Sequence, residues 1–157
     1  MPSLRTLAFQ AWFRISRPMT LGVRAAVENA DGHVFMVRHT YISGWFMPGG
    51  GVEHGEPALE ALRRELIEEG GIRLTAEPKV FGFYSNHDSF RNDHVVLYHV
   101  PWGSWEQVAA TSQGEIAETA WVDPHAPPDG ITAGNLRRLE ELYRGAPVSP
   151  YWAPKTS

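Results

Sequence analysis

The chain has 157 residues, 43% hydrophobic and 20% charged, the balance of an ordinary globular domain with a sizeable core. A net charge of -4 at pH 7 gives no electrostatic reason to expect DNA or RNA as a partner, and the absence of cysteine excludes disulfides, thiolate metal sites and cysteine nucleophiles. No apolar run approaches the ~18–20 residues that span a bilayer, and the lack of cysteine suits a reducing, cytoplasmic setting.

Residues 1–18 are expected to form an accessory helix. Leu4, Leu7, Ala8, Ala11, Trp12 and Ile15 recur at helical spacing, and Pro18 stops the run. Arg5, Arg14, Arg17 and Arg24 are unaccompanied by any acid before Glu28, which also fits a presequence or a membrane-surface helix. The segment is short and only weakly basic, so a helix packed on the domain or on a partner subunit is preferred.

Residues 21–29 read as a strand, Asp31-Gly32 as a hairpin turn and residues 33–39 as the returning strand. A glycine- and proline-bearing loop over 41–51 leads to a helix at 57–69, which Gly70-Gly71 ends. Strands follow at 79–85 and 94–100, joined by a polar stretch, and a last strand at 117–122 precedes the breaker Asp123-Pro124. Thr132 caps a second helix over 133–144, ended by Gly145, and the proline-bearing tail 146–157 is extended and docks through Tyr151 and Trp152. The order implies one α/β domain over 19–145, a mixed sheet covered by helices.

On the helix at 57–69, Leu59, Leu62 and Leu66 fall in one stripe that faces the core. Ala58 and Ala61 lie toward the glutamates and are expected to leave room for a ligand. Glu65, Glu68 and Glu69 stand at i, i+3 and i+4, so three carboxylates share a second face. Such like-charge pairs cost an isolated helix roughly 0.2–0.5 kcal/mol each, and they lie near the C-terminus, where the helix dipole disfavours anions. Broken local rules concentrated at one place point to function, and a divalent cation with a taste for hard oxygen ligands would offset them. A solvated acidic face stays open as the alternative. Arg64 is spaced to pair with Glu68, and Gly49 to Gly51 allow backbone groups to approach a phosphate or a metal closely.

The flanks decide between the two. Gly50, Glu56 and the run Arg64-Glu65-Leu66-Ile67-Glu68-Glu69-Gly70-Gly71-Ile72 match every fixed position of the Nudix box, and Trp45 to Glu53 resembles the usual approach to it. The remainder resembles the Nudix hydrolases in element order rather than in motifs. The resemblance implies an α/β/α sandwich with the box as loop-helix-loop. It implies hydrolysis of a nucleoside diphosphate linked to another moiety, with Mg²⁺ or Mn²⁺. Carried onto these residues, it makes Glu65, Glu68, Glu69 and the Gly50 carbonyl metal ligands, Arg64 the orienting residue, and Glu68 or Glu69 the general base. Glu56 ties the loop to the helix. An outer acidic ligand is expected just before the last strand, Glu115 first and Glu118 second. Where relatives often carry threonine this chain has Gly70, for which a looser helix end is expected.

Arg24 and Arg38 are candidates for phosphate contact, and Trp45 and Phe90, with Tyr41 and Tyr84 behind them, for stacking on a base. His87 and Arg91 lie in a polar loop that commonly sets specificity in the family, and the seven histidines read as scattered. The partner implied is a small nucleoside diphosphate derivative, not nucleic acid, with a homodimer one arrangement open to the chain. A non-catalytic binding module of the same fold is the competing class; the intact box argues against it. A diphosphate isomerase of this fold would rely on a cysteine that is absent.

Overall fold

The computed structural model describes residues 1–112 and 114–153. Its elements run α1 (Leu4–Ser16), β1 (Thr20–Val27), β2 (Val34–His39), β3 (Gly49–Gly51), α2 (Ala58–Gly70), β4 (Ile72–Leu74), β5 (Lys79–Ser85), β6 (Asp93–Val100), β7 (Trp105–Gln107), β8 (Ile116–Val122) and α3 (Ala133–Tyr143). The central sheet has the order β3-β1-β6-β5, with β1 and β6 parallel and the two outer pairs antiparallel. β2 pairs with β8 and β4 with β7, both antiparallel.

Strands β1 and β6 are apolar on both faces, as buried parallel strands must be. Val23, Ala25, Val27, Val96, Tyr98 and Val100 pack with Leu62 and Leu66 of α2. Their alternate neighbours Ala26, Val95 and Leu97 pack with Leu139 of α3 and with Trp152. The fold is thus an α/β sandwich around a mixed sheet, as expected.

Three short strands go beyond the sequence reading. β4 and β7 have three residues each, too few to carry a period, and β3 is Gly49–Gly51, with no side chains to show one. The N-terminal helix forms and is capped by Ser3, whose Oγ accepts from the Thr6 amide at 3.2 Å. It contributes nothing to the core of its own domain: none of its residues is buried, and Leu4, Phe9, Trp12 and Ile15 are exposed. Among the described residues, no helix is long and apolar enough to cross a membrane. The tail docks through Trp152, whose amide donates to the Ser85 carbonyl at 2.9 Å beside a parallel bridge between Ser85 and Tyr151. Its last residues, 154–157, lie outside the described ones.

Candidate active site

Helix α2 starts at Pro57, rolls Leu62 and Leu66 into the core and turns its glutamates toward the edge strand β3. That strand brings backbone unusually near the carboxylates. The Gly49 amide donates to Glu69 Oε2 at 2.9 Å, and a side chain on Gly50 would overlap the Glu65 carboxylate. Ala61 is fully buried and Ala58 packs beside it, so these two serve the core and leave no space for a ligand. Nor is the helix end loose. Gly71 adopts φ 60°, its amide returns to Ile67, and the Gln107 side chain donates to the carbonyls of Gly70 and Gly71, both at 3.0 Å. A β-carbon on Gly70 would stand 2.6 Å from the Phe35 ring, so close packing of the end of α2 against Phe35 of β2 favours glycine there.

Arg64 holds more than the helical spacing suggests. Nε and Nη2 donate to the two oxygens of Glu56 at 3.0 and 3.2 Å, and Nη2 reaches the Gly51 carbonyl at 3.2 Å. Nη1 donates to Glu65 at 2.7 Å and stands 3.6 Å from Glu68. The closest partners are Glu56 and Glu65, not Glu68, because the loop folds back on the helix. Glu56 also accepts from the Glu53 amide at 3.0 Å, which closes the loop.

The electrostatics follow from burial. Glu69 is pushed up to about 8 by desolvation, opposed by the Gly49 amide and by Arg24. Burial also raises Glu65, with Arg64 opposing it. Arg24 lies below its ordinary value because it is desolvated; Nη1 donates to the Met47 carbonyl at 2.5 Å and the guanidinium lies over Phe46. His39, read from sequence as one of a scattered set, stands 3.9 Å from Glu69 with its side chain only 7% exposed. Desolvation and then Arg24 lower its pKa, so a neutral imidazole flanks the buried carboxylate. No periodicity signals this contact, since His39 comes from another strand.

A cleft of about 770 Å³ has a lining that includes Arg24, Gly50 and Phe90; Glu65, Glu68 and Glu69 are not part of that lining, and it is the glycine strand that joins the two. Arg38 and Trp45 do not line it. Trp45 is 8% exposed and part of the core behind α3, so its ring has no open face for a base. Arg38 lies over Trp45 and pairs with Glu118 at 3.3 Å across β2 and β8, an exposed pair that occupies both residues on the far sheet. Tyr84 is fully buried. Glu115 is exposed just before β8; its carbonyl accepts from the Thr40 amide at 2.9 Å, and its charge is felt at Glu65, His39 and Tyr41. His87 is committed to its own loop, where Nδ1 accepts from the Asn92 amide at 3.0 Å.

The donor set fits a hard divalent cation. Glu65, Glu68 and Glu69 are oxygen donors carried on one helix beside the Gly49–Gly51 backbone, and the buried Glu69 ionises readily only beside positive charge. Among the described residues, no three acidic or histidine side chains are already drawn together as a metal site; Arg64 holds Glu65 and lies near Glu68 instead.

The glutamate helix thus lies against a glycine edge strand that itself lines the cleft of an α/β sandwich. The NUDIX domain model matches residues 18–142. A Bacillus subtilis protein described as a candidate 8-oxo-dGTP diphosphatase is 30% identical over 128 residues, 81% of this chain and 82% of its own. An RNA pyrophosphohydrolase of Bartonella bacilliformis matches more locally, 42% identical over 65 residues, 36% of this chain and 38% of its own. The crystal structure of the MutT NUDIX hydrolase from Burkholderia pseudomallei shares the fold with a TM-score of 0.65 at 22% identity, over 78% of this chain and 97% of that one. The chain belongs to the Nudix family, as a Nudix pyrophosphohydrolase.

Proposed function

We propose that this enzyme cleaves a pyrophosphate bond in a nucleoside diphosphate linked to another moiety, using Mg²⁺ with Mn²⁺ as a substitute. The observation that supports the reading is the approach of Glu65 and Glu69, on the same helix as Glu68, to a glycine strand whose Gly50 and Gly51 line the cleft. Glu65, Glu68, Glu69 and the Gly50 carbonyl would hold the cation, with Glu115 as the outer ligand. A cation bound there supplies neutralisation of pyrophosphate charge and activation of the attacking water. Arg64 keeps Glu65 turned toward Gly50 and, through Glu56, ties the loop to the helix. Glu68, whose side chain is 40% exposed, is better placed than Glu69 to take a proton from water, because Glu69 is committed to the Gly49 amide. Arg24 supports the phosphates, and Phe90, on the cleft wall, is open to stack.

The test is an activity screen in Mg²⁺ and Mn²⁺ across nucleoside triphosphates, oxidised nucleotides, nucleotide sugars, ADP-ribose, dinucleoside polyphosphates and 5′-triphosphorylated RNA. Glu68→Gln is expected to lower kcat by roughly 100-fold or more while leaving the circular dichroism spectrum unchanged. Nucleotide binding by calorimetry with no product from any substrate would overturn the reading in favour of a binding module.

A further inference from the structure

The apolar side chains of α1 enter neither core. At about 100° per residue, Leu4, Leu7, Trp12 and Ile15 share one arc, which Phe9 and Phe13 widen on one flank. Thr6, Gln10, Arg14 and Arg17 form the narrower polar stripe opposite. The six apolar side chains are between 40% and 87% exposed. A helix of 13 residues is marginal by itself in water, and this one ends on caps of its own, Ser3 at the start and the Arg17 amide returning to the Phe13 carbonyl at 2.9 Å. Its helical form therefore gains from any surface that takes up the apolar arc.

Charge says which surface. The segment carries Arg5, Arg14 and Arg17, and the first acid in the chain is Glu28; the rest is acidic enough to bring the whole to -4. The Arg17 guanidinium lies 5.0 Å over the Phe13 ring, and Phe9 stands 5.6 Å from Phe13. Cations and aromatic rings interleaved in this way suit the boundary between lipid headgroups and acyl chains. Arg5 breaks into the apolar arc, and its long stem can carry the charge back out to the headgroups. A second copy of the chain is a poorer match. Pairing two α1 helices would set arginines against arginines with no acid between them. The other exposed large apolar side chains come in ones and twos on separate elements, Tyr41 and Ile42 in one loop and Val80 and Phe83 on β5 among them.

We propose that α1 is a peripheral anchor, seated lengthwise in the headgroup layer of an anionic lipid surface. At roughly 20 Å it is too short to cross about 30 Å of hydrocarbon, so it lies along the surface. Thr20, shortly after the helix, lines the cleft, so a seated α1 holds the rim of the cleft within about 10 Å of the lipid.

The experiment is co-sedimentation of the full chain with vesicles of equal parts phosphatidylglycerol and phosphatidylcholine, against vesicles of phosphatidylcholine alone; the readout does not depend on catalysis. Binding to the anionic vesicles is expected to be at least about tenfold stronger and to weaken as salt is raised. Arg5→Gln with Arg14→Gln and Arg17→Gln is expected to remove that preference. Phe9→Ala with Trp12→Ala is expected to weaken anionic binding at least about tenfold. Both variants should keep the wild-type Tm, since neither touches the core. Equal binding to the neutral vesicles, or anionic binding that survives either variant undiminished, would overturn the proposal. So would a chain that stays off the vesicles and sediments alone as a dimer that Phe9→Ala with Trp12→Ala splits, which would give the apolar arc to a second copy.

Discussion

Glu69 is ionised only at a cost, and that cost has a measurable pH dependence. An unfolded glutamate titrates near 4.5, whereas burial pushes Glu69 up to about 8 in the fold. Between those values the native state holds a proton that the unfolded chain lacks, so stability falls as pH rises. His39 acts in the opposite sense: its depressed pKa withdraws stability as pH drops below about 6.5. The window from about 6.5 to 8 therefore belongs to Glu69. Metal-free protein is expected to lose several degrees in Tm across it by thermal denaturation, and Glu69→Gln to flatten that slope. A wild-type Tm that rises from pH 6.5 to 8 would refute the burial account.

At the scale of elements, the carboxylate helix works because a strand without side chains lies against it. Helical geometry shows that Glu65, Glu68 and Glu69 share a face; only the placement of β3 brings Gly49 and Gly50 onto that face. A comparable dependence ties the C-terminal tail to α3. Arg138 and Glu141 are both buried and joined at 2.6 Å; Arg138 also donates to the Tyr151 carbonyl at 3.1 Å, and Glu141 accepts from the Ser149 amide at 2.9 Å. Arg138→Met is expected to cost about 3–5 kcal/mol in urea unfolding, because Glu141 keeps its charge in the interior without its partner. Arg138→Met with Glu141→Leu is expected to cost less than the single change. Release of the tail in the single variant is read by a red shift of Trp152 fluorescence.

For the whole molecule, the two apolar layers either side of β1 and β6 carry the stability, and α1 adds none of its side chains to either. Deletion of residues 1–17 is expected to leave Tm within about 1 °C and kcat unchanged, while lowering any tendency to associate that sedimentation detects through the exposed Leu4, Phe9, Trp12 and Ile15. A large fall in Tm would place α1 in the core in solution.

The helix of residues 57–69, the hairpin and the paired strands over 79–100 were legible because each has a period or a turn signal of its own. The glutamate cluster was legible because its charges offend local rules. Long-range partners carry no such mark. Arg64 meets Glu56 through a loop that folds back, His39 meets Glu69 from another strand, and Arg38 is spent on Glu118 across β2 and β8. Trp45, an attractive stacking residue in the chain, lies under the second core. Local spacing and charge determined the family, the carboxylate helix and the class of chemistry. Tertiary structure decided which arginine and which aromatic ring reach the cleft. Chain spacing encodes only neighbours a few residues apart, while a cleft is made by residues that burial and strand register bring together.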